Sequence, residues 1–336
     1  MRLFIMIALV LILQMTLFAE LPNIHSSIVL DAKFYSGGNS NTGSYDTDNR
    51  IQIRKAALEF TGTLDKKIEY AIEFGTATCQ GTGLNLKLMD ASIFYNFNEN
   101  IKAGLLQGHI LRGFVGKTEC SERLTLEKPV FFKTFAPCHP TGFVVNTNFD
   151  LGEVAGLETE LALMNGVNGT FDGEHDYNLG LIFHTPLSGL SISADYNHTE
   201  KGFYDDNSQL YSETGYRSIC GLKFDNYNFR ATGEYLMGKG FTYDDQEMTA
   251  YYLQAGYAFP MKCKFLNYIQ PYAVYEFWDK NSAEDDESEY TYINAGLTIG
   301  LTESTRVRFN YMKPQDKPET APEEAASFIV RLQTGF

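Results

Sequence analysis

The chain has 336 residues, with 27 Lys plus Arg against 42 Asp plus Glu, a formal net charge of −15. Phosphate contacts need clustered cations, so this balance excludes an ordinary nucleic-acid binder. It carries 21 Tyr, 25 Phe and 29 Gly beside 10 Pro and one Trp, a composition that favours aromatic-girdled β-strands.

The chain begins MRLFIMIALVLILQMTLFA, with Arg2, an apolar run from Leu3 to Leu13, and the small residue Ala19. This is the layout of a secretory signal peptide, although Leu17 stands where a small residue is preferred before the cut. Its apolar core is short for a membrane span of about 20 residues. Residues 1–19 are therefore expected to be removed, leaving 20–336 as the working domain. After Ala19 no apolar stretch is long enough for a transmembrane helix. A membrane protein without such helices must be a closed barrel, because lipid cannot satisfy open backbone hydrogen bonds.

From there the dominant signal is alternation with period two. In IEYAIEF, Ile68, Tyr70, Ile72 and Phe74 point one way, and Glu69, Ala71 and Glu73 the other. GLSISADYN and RVRFNY behave alike, which a helix would not tolerate and a strand requires. Sixteen strands are predicted, near 25–35, 51–64, 68–78, 86–97, 100–112, 139–149, 153–165, 175–186, 189–200, 213–225, 227–239, 247–259, 266–279, 289–301, 305–314 and 326–336. Short connections such as Asp65-Lys66-Lys67, Asn98-Glu99 and Thr302-Glu303-Ser304 alternate with longer ones, and only 260–265 is long within the short set. That pattern, with an even strand number, predicts an all-β transmembrane antiparallel barrel with long outer loops and short periplasmic turns.

Five long loops (36–50, 201–212, 240–246, 280–288 and 315–325) hold fourteen acids and four bases. They read as solvated tips, or as an acidic rim that binds divalent cations between lipid headgroups. The longest connection, 113–138, is instead aromatic and apolar, so it is expected to fold into the lumen as a constriction. Its cations are Lys117, Arg123, Lys128 and Lys133, and its acids Glu119, Glu122 and Glu127. Rings of Lys and Arg select anions in pores, but the acids here nearly balance them. The last strand, ASFIVRLQTGF, ends on Phe336, the terminal aromatic that barrel assembly machinery reads.

If the apolar faces meet lipid, the lumen wall receives Arg217, Arg230, Arg306, Arg308 and Arg331, with Lys33, Lys102 and Lys223. It also receives Asp31, Glu69, Glu73, Asp90, Glu158, Glu160, Asp195, Glu234 and Glu276, while the alternation is ambiguous around Arg54-Lys55. Dry burial of so many ions would cost several kcal/mol for each unpaired one, and sixteen strands enclose more space than side chains fill. These groups are therefore expected to be solvated by water in a diffusion channel. Five cysteines (Cys79, Cys120, Cys138, Cys220 and Cys263) form no CxxC pair. One disulfide among the first three and free thiols are both compatible with an oxidising envelope. None of the six histidines lies in a HExxH helix or beside a GxSxG elbow, so no enzyme, metal or cofactor is indicated.

Three stretches resemble the phosphate-selective porin O and P family: IRKAALEFTGTLDKKIEYAIEFGTA, FFKTFAPCHPTGFVV with Phe135, Pro137 and Gly142, and the strand ending in Phe336. The resemblance implies a sixteen-stranded outer-membrane porin, usually a homotrimer, whose third loop narrows the lumen. Some members take up phosphate or polyphosphate through lumen arginines and constriction-loop lysines. Arg112, Lys117, Arg123, Lys128 and Lys133 are the nearest matches here. The expected partners are outer-membrane lipid, further copies of the chain, the barrel assembly machinery, and small hydrophilic solutes or anions. The competing readings are a general or cation-preferring porin, a structural or adhesive barrel and, last, an outer-membrane hydrolase.

Overall fold

The computed structural model describes residues 22–36, 50–77, 86–118, 122–129, 131–132, 140–152, 154–165, 175–204, 210–239, 247–279, 281–282, 289–316 and 326–335. The expected signal peptide, Lys133, Phe336 and Cys79, Cys120 and Cys138 lie outside the described residues.

The strands are β1 (Asn23–Ser36), β2 (Arg50–Leu64), β3 (Ile68–Ala77), β4 (Lys87–Asn96), β5 (Ile101–Gln107), β6 (Thr141–Asp150), β7 (Gly156–Asn165) and β8 (His175–His184). They continue as β9 (Leu190–Tyr204), β10 (Leu210–Asn226), β11 (Phe229–Lys239), β12 (Glu247–Tyr257), β13 (Phe259–Cys263), β14 (Leu266–Asp279), β15 (Glu289–Gly300), β16 (Thr305–Asp316) and β17 (Ala326–Gly335). Apart from β12 and β13, each strand pairs antiparallel with its neighbour in sequence, and β1 pairs with both β2 and β17, so the sheet closes on itself. β12 and β13 pair in succession with β14 and form one stave, which makes the wall a barrel of sixteen. Among the described residues no helix is long and apolar enough to cross a membrane.

Alternation decides the two faces. Ile93, Leu105, Leu161, Tyr177, Leu179, Leu253 and Tyr275 point outward on a broad apolar belt. Stacked rings such as Tyr251 and Phe277, 4.9 Å apart, reinforce it. The alternating partners, Asp31, Asn178, Asp195, Arg217, Asn310 and Arg331 among them, point inward. Among the described residues the register shifts at four places, two of them on β2 and β4. The register passes from Val29↔Lys55 to Leu30↔Ile53, leaving Arg54 as the extra residue, so Arg54 and Lys55 both face the lumen. This resolves the ambiguity of that stretch. The second bulge, at Met89, lies where Glu73↔Asp90 gives way to Phe74↔Leu88.

Three expectations need correction. The fifth strand ends at Gln107 rather than near 112, because Gly108 turns the chain inward and its N–H bonds the carbonyl of Pro140. Arg112 therefore belongs to a loop, where it precedes the short helix α1 (Gly113–Lys117). The connection at 260–265 is not a simple turn, since β13 extends the twelfth stave through it. Finally, much of the lumen is not solvated, for the reason given next.

Candidate functional site

The described residues of loop 3, 108–118, 122–129 and 131–132, lie inside the barrel. Its apolar residues Val115, Leu124, Phe131 and Phe132 join one buried cluster with Ile219, Leu236, Met248, Ala250, Tyr252, Tyr272, Val274, Trp278, Tyr290 and Tyr292 of the β10–β15 wall. The strands on that side are thus apolar on both faces, and the loop covers their inner one. A smaller contact joins Leu111 and Phe114 to Ile182 of β8.

The wall's charged and polar groups then hold the loop by its backbone. The Glu234 carboxylate accepts the Phe114 N–H, the Val115 N–H at 3.5 Å, and the Tyr252 hydroxyl at 2.8 Å. Gly113 makes this approach feasible: its φ is +64°, and a Cβ there would meet Glu234 Oε1 at 2.3 Å. Glu160 accepts the Leu111 N–H at 2.6 Å, and Asn178 donates to the Leu111 carbonyl at 2.8 Å. Arg308 donates to the carbonyls of Arg123 and Leu124 at 2.6 and 2.7 Å, and Arg331 to that of Leu126 at 2.7 Å. These contacts explain why Arg308, Arg331 and Glu234 are buried instead of wet, while Arg217 is buried against Asn197 and Asp195 against Asn178. Unfilled hydrogen-bonding capacity under the loop is costly, and each clamp recovers part of that cost as it seats the loop.

The opposite wall stays open. One chamber of about 520 Å³ is bounded by β1–β4, β17 and the loop's Arg123, Leu126 and Glu127. A second, about 700 Å³, opens among Lys66, Lys67, Asn98, Glu99, Asn146, Asn148 and Glu158 at the short-turn end. Lys117 lines both. It pairs with Glu158, whose other oxygen lies 2.8 Å from His184 Nε2. The first chamber presents five Lys and Arg to four Asp and Glu, and the second four to four, so neither carries a strong sign. Most of these charges are locally matched: Lys55 with Glu73 at 2.7 Å, Lys102 with Glu69 at 3.0 Å, and Arg54 with Glu127 at 2.8 Å.

The five loop and rim cations proposed from sequence thus separate. Lys117 and Arg123 line a chamber. Arg112 is 1% exposed, with Nη2 3.6 Å from Asp176, and Lys128 is buried in the loop. Of the five wall arginines read from the sequence, Arg331 reaches the first chamber beside Arg54, while Arg217 donates to Asn197 and Arg308 holds the loop. Arg230 pairs with Asp225 at 3.2 Å, and Arg306 donates to Gln333 at 3.3 Å.

Sequence reasoning did not place Glu59. The bulge at Arg54 turns it inward, where the register aligns His25, Glu59, Glu73 and Asp90 across four adjacent strands. It also overlooked Asp176 and Asn178, though the alternation of HDYNLGLIFH already directed both inward. Among the described residues no group of three His, Cys, Asp or Glu is arranged to hold a metal.

With this geometry in place, the comparisons with solved structures can be read. The outer-membrane channel DcaP of Acinetobacter baumannii superposes with a TM-score of 0.63 at 13% identity, covering 94% of this chain and 97% of its own. OmpF of Salmonella typhi, solved with daunomycin, gives the same four values. The trimer form of the Vibrio cholerae outer-membrane protein OmpT gives 0.58 at 11%, covering 94% and 99%. The fold is that of the outer-membrane porins. No protein-family model and no curated protein matches the sequence.

Proposed function

We propose that the protein is a water-filled diffusion channel of the outer membrane, passing small hydrophilic solutes between loop 3 and the β1–β7 wall with weak charge preference. One observation carries this reading: some inward charges are buried as loop clamps and others line two open chambers that share Lys117, with Glu160 and Arg331 doing both. A fixed loop leaves a permanent opening along one side of the lumen. Near-balance of Lys and Arg against Asp and Glu in each chamber argues for mild discrimination. Phosphate selectivity of the porin O and P kind calls for a surplus of fixed positive charge, and the matched pairs of Lys55, Lys102 and Lys117 work against one. In the same reading the short turns face the periplasm, the barrel assembles as a homotrimer, and Phe336 serves its insertion. The trimer form of the Vibrio protein is a fold-level precedent for the assembly.

Planar-bilayer recording tests the proposal. Under a salt gradient the reversal potential should lie near zero and hardly respond to phosphate. Lys117→Glu exchanges a cation for an anion where the chambers share a wall. It should raise cation over anion permeability about fivefold, the factor given by ~1 kcal/mol between unit charges near 4 Å in water. An unmoved reversal potential would remove Lys117 from the conduction path. A second reading, a barrel that serves only as structure, draws on the packed β10–β15 half. It is favoured if reconstituted protein shows no steady open current.

A further inference from the structure

Beyond the channel, one feature of the short-turn end is unaccounted for. The pairing of β11 with β12 stops at Phe229↔Tyr257, and Ala258 N–H closes on the Asn228 carbonyl. β13 continues past that level, paired with β14 alone. On the far side, the pairing of β14 with β15 begins only at Tyr268↔Gly300. Residues 259–267 therefore project as a two-stranded tongue, and its residues 259–265 are all exposed.

Its exposed surface is apolar and basic. Phe259, Met261 and Phe265 are 51%, 40% and 74% exposed, and Lys264 lies 5.7 Å above the Phe265 ring. Residues 257–272 contain Lys262 and Lys264 and no acid, in a protein with 42 acids to 27 bases. The tongue also continues the outer belt. Phe259 packs on the outward Tyr257, ring centroids 4.7 Å apart, and Phe224 and Phe229 meet beside them at 6.0 Å.

We infer that the tongue is a foot for anionic lipid: its apolar side chains enter the headgroup–acyl boundary of the leaflet at the short-turn end, and Lys262 and Lys264 engage phosphate-bearing headgroups. Exposed Phe and Met side chains gain by leaving water for the headgroup–acyl boundary, and lysines reach to charged headgroups. Continuity with the belt puts the tongue at the bilayer surface. The local excess of positive charge selects anionic over zwitterionic lipid. This inference rests on the lipid-facing belt and is independent of whether the lumen conducts.

Two natural cysteines supply the test. Cys220 points outward within the belt on β10, and Cys263 sits on the tongue; both are free and exposed. Single-cysteine proteins retaining one or the other, with the remaining four changed to Ser, are spin-labelled and reconstituted in phosphatidylcholine vesicles with or without phosphatidylglycerol. Collision rates with oxygen and a water-soluble nickel chelate report depth. The label at Cys220 should be oxygen-rich in both vesicles, which establishes that the barrel is inserted. At Cys263 the oxygen-to-nickel ratio should rise several-fold over an aqueous nitroxide when phosphatidylglycerol is present, and Lys262→Glu with Lys264→Glu should abolish the rise. A label at Cys263 that stays aqueous beside a buried Cys220 label overturns the foot. A ratio indifferent to phosphatidylglycerol and to the charge reversals overturns its anionic-lipid preference.

Discussion

Arg331→Ala should be among the most destabilising single changes in the protein, lowering its stability by about 3–5 kcal/mol, the usual cost of stripping one partner from a buried ion pair. Arg331 meets Asp31 through two hydrogen bonds of 2.6 and 2.7 Å, and both side chains are almost fully buried. They are register partners on β17 and β1, so the pair lies on the seam that closes the barrel. The same guanidinium holds the Leu126 carbonyl and Glu127 at 2.7 and 3.0 Å, tying the loop to that seam. Truncation leaves Asp31 with Arg54 at 3.9 Å as its remaining ion-pair contact among those described. The midpoint of urea unfolding in detergent should fall, and single-channel current should flicker as the segment around Glu127 loosens. Removing both charges, by Asp31→Asn with Arg331→Met, should recover most of the lost stability, because no buried ion is then stranded. A single variant as stable as the parent would mean that the pair is solvated, and the description of a dry seam would fail.

That seam also shows what the sequence can and cannot convey. Strand positions are legible because a one-residue shift would carry Ile68, Tyr70, Ile72 and Phe74 from lipid to water, so selection for a two-faced wall writes period two directly into the chain. The bulge at Arg54 is not legible, since an extra residue erases the alternation that would reveal it, and Glu59 was missed for that reason. The solvation error has a different cause. Whether Arg308 sits in water or under a loop depends on the carbonyls of Arg123 and Leu124, 185 and 184 residues away, and no local pattern records that pairing. A signal did exist on the other side of the contact. In EMTAYYLQAGY, Met248, Ala250 and Tyr252 alternate with Thr249, Tyr251 and Leu253, so both faces carry apolar side chains. A barrel strand apolar on both faces needs a cover on its inner side, and the aromatic stretch around Phe131 and Phe132 supplies it.

The cover can be tested apart from the seam. Phe132 is completely buried; its ring sits 5.3 Å from that of Phe131, which in turn lies 6.1 Å from Tyr252 on the wall. Phe132→Ala should cost about 3–5 kcal/mol through lost burial and the cavity left behind. Because the strand ladders do not involve Phe132, that cost should fall on the seating of the loop instead of on the barrel. At 1.4 kcal/mol per factor of ten, the undocked population should rise by roughly two to three and a half orders of magnitude. Arg123, 7% exposed in the seated loop, then becomes a substrate for trypsin, whereas Lys128 is protected by the following Pro129. Fragments ending at 123 should appear far sooner than in the parent, while resistance of the barrel to urea changes little. Phe132→Leu keeps most of the buried volume and should remain resistant. Cleavage at the parental rate in Phe132→Ala would show that the hydrogen-bond clamps alone suffice to hold the loop, and that the apolar half of the lumen contributes little to its position.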